Sequence, residues 1–285
     1  MRASLFVAAA LVAAPLLGST AMAAEKIAPA IAAAVADSAR PAADTDRDAV
    51  RKPAEMLAFA GVKPGQQVAE LWPGGGYFTR VLSLTVGAKG HVYALTPPPR
   101  PRPPSSAPGL AGMPGMAGMP GMSSMPGMAG MPAMSGPPPM SPMEMLAKDT
   151  HYGNITLLPW SALTADPPTV PQVDLVWTSD NYHDFHNQPN ADLAALNKHV
   201  FDSLKSGGVY LVIDHAAAAG HGAGDTRTLH RIDPETVKAE VEGAGFKLAG
   251  SSDALHNADD PHTAPIFDGS TRGHTDQFAL KFVKP

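Results

Sequence analysis

The chain has 285 residues and no cysteine, with 21 basic and 26 acidic side chains for a formal net charge of −5. A mildly acidic balance without basic clusters argues against nucleic acid or an anionic membrane surface as the partner. Without cysteine the chain forms no disulfide, so its stability must come from an ordinary apolar core.

The first 23 residues have the pattern of a secretory signal peptide. Arg2 precedes an apolar run over residues 5–17, and the small-residue site Ala21-Met22-Ala23 follows. The apolar run is too short to span a bilayer comfortably, and no later segment approaches the needed length. We therefore predict cleavage near Ala23 and an exported protein, periplasmic or extracellular, without stable membrane insertion.

The rest of the chain alternates between strand and helix patterns. The predicted strands are residues 68–71, 91–95, 155–158, 173–179, 209–214, 246–251 and 278–283. Helices are predicted over residues 46–60, with a break near Pro53, and over 78–84, 192–204 and 233–245. Such alternation predicts a doubly wound α/β domain, residues 24–285, with a mainly parallel sheet covered on both faces. Ligands of these sheets bind at the carboxyl ends of the strands.

Residues 97–143 interrupt this pattern with a low-complexity insert. They hold half of the 30 prolines and most of the methionines, and methionine recurs at every third position from Met113 to Met134. A proline- and glycine-rich tract cannot pack a core, so we predict a disordered insert. Because thioether sulfur favours Cu(I), copper binding by this tract is an alternative function.

The stretch "VAELWPGGGYFTR", residues 68–80, places three glycines at the first strand-to-helix turn. Backbone amides there can face a ligand in the crevice, although a tight turn without a ligand also explains the glycines. The spacing departs from the dinucleotide fingerprint G-x-G-x-x-G, because Tyr77 and Phe78 follow the third glycine directly. Glu70 at the strand end favours a ligand with a cationic or amino-acid head.

The motif "ELWPGGGYFTRVL" resembles E/D-x-G-x-G-x-G, the cofactor-binding motif of class I S-adenosylmethionine-dependent methyltransferases, with Trp72 in place of the first glycine. The chain is similar to an exported bacterial group of this family in "DLVWTSDNYHDF", "TLHRIDPETVKAEVEGAGF" and "TDQFALKFVKP" as well. The resemblance covers almost everything after Ala39 except the insert. It implies a Rossmann-like seven-stranded sheet whose last strand is antiparallel, S-adenosylmethionine as cofactor, and methyl transfer to an unidentified acceptor.

Carried over residue by residue, the resemblance assigns Glu70, Gly74, Gly75 and Gly76 to the cofactor loop. Members of the family usually have an acid at the end of the second strand to hold the ribose hydroxyls, whereas this chain offers Thr96, with one hydroxyl and no charge.

Trp160, after the third strand, is expected to stack on the adenine ring. A core or interface aromatic is the alternative for this side chain.

The reacting groups are expected after the fourth and fifth strands, at the same sheet edge. In "SDNYHDFHN" we predict His183 as a general base and Asn181 as the residue that orients the methyl acceptor, with Asp214 as a third catalytic residue. A solvated polar loop is the alternative. His221, Asp225, His230 and Arg231 are candidates for a lid, and His230 is as consistent with a structural role.

We predict no metal site. His183 and His186 are three residues apart, but no third ligand is fixed by the sequence, and neither H-E-x-x-H nor a cysteine pair occurs. The expected partner is a small-molecule methyl acceptor. A non-catalytic exported protein that binds a small ligand on the same fold is the alternative function, and the sequence does not fix the oligomeric state.

Overall fold

The centre of the protein is a seven-stranded sheet in the computed structural model, which describes residues 26–97 and 140–285. The strands are β1 (Gln67–Leu71), β2 (His91–Thr96), β3 (Ile155–Pro159), β4 (Val173–Ser179), β5 (Leu204–His215), β6 (Lys247–Ser252) and β7 (Gln277–Val283). Their order is β3-β2-β1-β4-β5-β7-β6. The strands from β3 to β5 in this order pair in parallel, and β7 runs antiparallel to both of its neighbours.

Helices cover both faces of this sheet. They are α1 (Pro29–Val35), α2 (Ala42–Thr45), α3 (Asp48–Arg51), α4 (Pro53–Ala60), α5 (Tyr77–Val86), α6 (Pro142–Lys148), α7 (Ser161–Thr164), α8 (Tyr182–His186), α9 (Leu193–Ser203) and α10 (Pro234–Gly243), with a 3₁₀ turn at Thr150–Tyr152. In residues 26–97 and 140–285, none of the helices has the length and apolar character needed to cross a bilayer.

Because both faces of the sheet are buried, the strand sequences are continuous apolar runs and do not alternate between apolar and polar residues. In β1, Val68 packs into a core beneath α1, α4 and α5, while Ala69 and Leu71 pack into a second core beneath α7, α9 and α10. The polar exception in β1 is Glu70, which shares a face with Val68 because side chains alternate along a strand.

The fold prediction is confirmed: the sheet has seven strands, is mostly parallel, and ends in an antiparallel strand. The predicted break at Pro53 is also present, because Lys52 adopts a left-handed φ of 42° between α3 and α4. The helices α1, α2, α6, α7 and α8 were not predicted. All five are short, and their residues carry no sustained helical periodicity.

The predicted end of the low-complexity insert is too late in the sequence. The predicted insert over residues 97–143 ends earlier, because Pro142 begins α6, a helix capped by a reciprocal pair of hydrogen bonds between Ser141 and Glu144. Met143 is buried and packs in the core beside α5. The signal peptide at residues 1–23 and the methionine repeat at residues 113–134 lie outside the described residues, so export and copper binding stay predictions.

Candidate functional site

The turn between β1 and α5, called here the glycine loop (residues 72–76), has a left-handed backbone at Trp72, Gly74 and Gly76, with φ of 51°, 58° and 86°. A Cβ at Gly76 would lie 2.6 Å from Cδ2 of Leu146, and the left-handed φ of 86° is one that side-chain-bearing residues rarely adopt, so both favour glycine there. Gly75 is different. It lies outside the left-handed region, and a Cβ added to it would meet no other protein atom within 4 Å. Gly75 is exposed and is not among the residues that line the adjacent cavity, so its contact with a cofactor stays a prediction.

A cavity of about 290 Å³ lies against this loop and is called here the glycine-loop cavity. Its walls are formed by Trp72, Pro73, Gly74, Thr96, Pro97, Met143, Asn181, Asp184 and Gln188. Three residues predicted from separate parts of the sequence, Gly74, Thr96 and Asn181, therefore meet here. Because Thr96 ends β2 and Asn181 follows β4, the cavity lies at the carboxyl edge of the sheet, where parallel sheets bind ligands.

Glu70 does not line this cavity. Its carboxylate lies beneath α5, is 2% exposed, and accepts a hydrogen bond of 2.6 Å from the Thr79 hydroxyl. Burial raises the pKa of Glu70 to about 7, against the hydrogen bond from Thr79, which lowers it. In this structure Glu70 links β1 to α5, and its predicted contact with a ligand head stays a prediction.

The aromatic wall of the glycine-loop cavity is Trp72, not Trp160. Trp160 stacks on Phe185 with ring centroids 5.3 Å apart and contacts Trp72 edge-on at 5.5 Å. It lines a separate cavity of about 250 Å³ on the far side of this cluster. Trp72 lines the glycine-loop cavity itself, and its indole nitrogen is buried without a hydrogen-bond partner among the described residues.

Asn181 directly precedes the helix α8, in the stretch for which a solvated polar loop was the alternative. Its side-chain nitrogen donates to the backbone carbonyls of Trp72 at 2.9 Å and of Ser179 at 2.7 Å. Asn181 therefore fastens the glycine loop to the end of β4. This places it as a support of the cavity wall, whereas the sequence suggested that it would orient an acceptor.

His183 and Asp214 form a buried pair at the ends of β4 and β5. The Nδ1 atom of His183 lies 2.7 Å from one carboxylate oxygen of Asp214, and the His183 backbone N–H donates to the other oxygen at 2.7 Å. Burial lowers the pKa of His183, but the charge and hydrogen bond of Asp214 outweigh it, so the pKa is raised. Because Asp214 is fully buried, it positions His183 and leaves Nε2 as the imidazole nitrogen available to a ligand.

A second, larger cavity of about 850 Å³ lies beside His183 and is called here the large cavity. Its charged and titratable lining residues are Arg47, Arg51, Lys52, Asp180, Asp184, Arg272 and the imidazoles of His183, His215, His256 and His274. Four basic side chains face two acidic ones in this set, which favours an anionic occupant. Asp184 lines both cavities, so α8 separates the two spaces.

Asp180 and Arg51 form an ion pair in the wall of the large cavity that sequence reasoning missed. Asp180 has a left-handed φ of 58° directly after β4, and Gln277 also donates to it at 2.7 Å. Burial raises the pKa of Asp180, but the positive charges of Arg51, His215, His183 and Arg47 together outweigh it, so the pKa is lowered. The partners are 129 positions apart in sequence, so no local pattern could reveal the contact.

The four residues considered for a lid separate in the structure. His221 pairs with Asp225, four residues further along the chain, at 2.8 Å. Arg231 is fully buried, binds Asp260 at 2.7 Å, and therefore supports the fold. Of the four, His230 lies at the site, with its ring 5.4 Å from the ring of His183.

His183 and His186 are not placed as two ligands of one metal ion, because the imidazole of His186 contacts a different residue. Its Nε2 atom lies 3.2 Å from Glu240 on α10. The histidine that the structure brings to His183 is His230, which is 47 positions further along the sequence.

Comparison with solved structures shows the fold of S-adenosylmethionine-dependent methyltransferases. A SAM dependent methyltransferase from Aquifex aeolicus matches with a TM-score of 0.50 and 13% identity, over 86% of this chain and 99% of that chain. A chain from the Haloferax volcanii complex that contains the Trm112 methyltransferase activator matches with a TM-score of 0.50 and 18% identity, over 86% and 93% of the two chains. No protein-family model matches the sequence, and no curated protein matches it.

Proposed function

We propose that this protein is an S-adenosylmethionine-dependent methyltransferase, with the cofactor in the glycine-loop cavity and a small anionic acceptor in the large cavity. The observation that carries the proposal is that the two cavities meet at Asp184, on either side of α8. Methyl transfer requires direct contact between the acceptor atom and the methyl carbon, so donor and acceptor would have to meet beside Asp184, the residue that lines both cavities. The fold shared with methyltransferases supports this assignment.

In this scheme the glycine loop binds the amino-acid end of the cofactor through its backbone, and Trp72 contacts the rest of the ligand. Thr96 can offer one hydroxyl to the ribose. Because an uncharged group replaces a carboxylate at the end of β2, we expect an affinity roughly ten- to a hundredfold weaker than an acid would give.

His183 is the residue that we propose acts on the acceptor through Nε2, with Asp214 holding the ring. The acceptor must lose a proton before or during its attack on the methyl carbon, and the bond from that carbon to the sulfonium then breaks. The products are the methylated acceptor and S-adenosylhomocysteine. Export from the cytoplasm stays part of the proposal and rests on residues 1–23 alone.

The cofactor assignment is tested by calorimetry with S-adenosylhomocysteine and the Gly75→Val variant. A Cβ at Gly75 would meet no atom within 4 Å other than those of its chain neighbours, so we expect the variant to fold with a nearly unchanged free energy of unfolding yet to lose binding if the loop backbone holds the ligand. Gly243→Val is the matched control, since Gly243 at the end of α10 is equally open and lines neither cavity. Wild type and Gly243→Val should bind alike.

Equal affinity in the Gly75→Val variant would remove the glycine loop from the site. Absence of binding to the wild type at millimolar ligand would favour the alternative, a protein that binds a different small ligand on the same fold.

A further inference from the structure

Three side chains of the types that bind metal ions converge around Asp184, the residue that lines both cavities. His183, Asp184 and His230 each offer one ligand atom, and these atoms lie within 4.8 Å of one another. The Nε2 atom of His183 is 3.6 Å from Oδ1 of Asp184, and the Nδ1 atom of His230 is 3.6 Å from the same oxygen.

These separations are too long for hydrogen bonds, which end near 3.2 Å between nitrogen and oxygen. They are close to what a small ion imposes, because ligands about 2.0–2.1 Å from a tetrahedral ion stand roughly 3.3 Å apart. Small side-chain rotations would bring all three atoms to that distance. The arrangement therefore fits a shared ion better than it fits direct contact between the side chains.

The surroundings of each histidine support the same conclusion. Asp214 holds the Nδ1 atom of His183 at 2.7 Å, which is the outer carboxylate contact that metal-bound histidines commonly make. In His230 the Nδ1 atom is buried and has no hydrogen-bond partner in the part of the chain that the structure describes. A buried nitrogen without a partner is costly, and an ion would satisfy it.

The backbone of His230 adds an independent observation. Its φ of 55° is left-handed, a conformation that residues with side chains adopt rarely and that costs free energy. The strained turn holds the imidazole against His183 on one side and against the Phe267 ring, 5.0 Å away, on the other.

We propose that His183, Asp184 and His230 bind a divalent metal ion of the borderline class, for which Zn²⁺ is the probe. Two imidazoles and one carboxylate suit such ions, whereas Mg²⁺ and Ca²⁺ prefer oxygen ligands throughout. Three protein ligands leave at least one coordination position for an outside molecule, as in catalytic sites. That position faces the large cavity, which His183 and Asp184 line.

The role of this metal site rests on the proposed function, because the bound ion would act on the methyl acceptor in the large cavity. An acceptor with an oxygen, nitrogen or sulfur atom would occupy the open position, and coordination would favour release of its proton to solvent. The electron pair freed on that atom would then attack the methyl carbon while the sulfonium keeps the pair of the broken bond. His183 thus acts on the acceptor through the ion, in place of direct proton transfer.

The test is a Zn²⁺ titration of the full chain against a chromophoric chelator, with three variants. Asp184→Asn keeps the shape of the side chain and removes its charge. His230→Asn suits the left-handed backbone, which asparagine tolerates. His256→Ala is the control, because His256 lines the same cavity but binds Asp276 at 2.9 Å, away from the three proposed ligands.

We expect one Zn²⁺ per wild-type and His256→Ala chain. Binding should be at least about a hundredfold weaker in Asp184→Asn and His230→Asn, since even the loss of an outer carboxylate costs roughly 10–100-fold. Equal affinity in all four proteins, or a wild type that binds no tighter than millimolar, would overturn the proposal.

Calorimetry with S-adenosylhomocysteine in metal-free buffer separates this proposal from the function on which it rests. The His230→Asn variant should bind that ligand as the wild type does, because His230 does not line the glycine-loop cavity. Loss of Zn²⁺ with ligand binding intact supports the metal site. If the wild type binds Zn²⁺ but does not bind S-adenosylhomocysteine, the metal site is supported and the methyltransferase function is rejected.

Discussion

Glu70 carries a carboxyl group in the core beneath a helix, where a charge is costly. Its surroundings offer the Thr79 hydroxyl as a hydrogen-bond donor and the more distant charges of Arg51 and Arg80. Burial dominates, so the pKa is about 7 and the group is partly protonated at neutral pH. A carboxyl group that changes charge at this position links the stability of the β1–α5 unit to pH.

We predict that this group makes the protein less stable as pH rises from about 4.5 to about 7. The folded-state pKa of about 7 exceeds the ordinary value of 4.5, so the folded state binds more protons over this range. At about 1.4 kcal/mol for each pH unit between the two values, the loss is about 3 kcal/mol. Urea unfolding at pH 5 and pH 8 should show this loss in the wild type.

The Glu70→Gln variant isolates the effect, because glutamine cannot ionise and keeps the shape of the side chain. Its free energy of unfolding should fall by about 3 kcal/mol less than that of the wild type between the two pH values. Identical pH dependence in the two proteins would show that Glu70 ionises freely in the folded state.

The glycine loop and His183 could be identified from sequence because their signals are local. Three adjacent glycines after a strand, and a histidine after an apolar strand, need no knowledge of tertiary contacts. The roles of Trp72 and Trp160 could not be assigned in this way. Which of the two rings lines the cavity depends on how they pack against Phe185, 25 residues beyond Trp160 in sequence.

At the scale of elements, α8 is the wall between the two cavities, and hydrogen bonds fix it at both ends. Asn181 at its start binds the carbonyls of Trp72 and Ser179. Asn187 at its end donates to the carbonyl of Thr226 at 3.0 Å and accepts from the Thr226 hydroxyl at 3.1 Å. The hydrogen bonds of Asn181 reach the glycine loop, whereas those of Asn187 do not.

We predict that Asn181→Ala and Asn187→Ala each lower the free energy of unfolding by about 1–3 kcal/mol, since each removes bonds from partly buried carbonyls. Asn181→Ala alone should weaken the binding of S-adenosylhomocysteine, because it frees the glycine loop from β4. Chemical unfolding and calorimetry on both variants measure the two effects. An equal loss of binding in both would mean that α8 matters only as a whole.

The strands could be predicted because burial on both faces gives long apolar runs. Their predicted bounds lie close to the observed ones except in β5, which begins at Leu204, five residues before the predicted start. The short helices could not be predicted. In α6 a capping box and core packing replace the periodic pattern that sequence analysis detects, and in α8 the packing of Tyr182 and Phe185 does so. The polar residues of α8 therefore favoured a loop.

At the scale of the whole molecule, the two cavities differ in how the chain builds them. The glycine-loop cavity draws mainly on the ends of β1, β2 and β4. The large cavity joins α3 near the start of the described chain to residues 254–277 near its end. The first could be anticipated from the order of the strands. The large cavity depends on long-range pairs such as Arg51 with Asp180, which no local sequence pattern indicates.

The proposed reaction requires that the donor and acceptor spaces meet beside Asp184 on α8. A crystal structure of the protein with S-adenosylhomocysteine tests it most directly. We predict that the amino-acid end lies along the backbone at Gly74 and Gly75, with the sulfur directed past Asp184 toward His183. A ligand seated in the large cavity, or no ligand in a crystal grown at saturating concentration, would contradict the account.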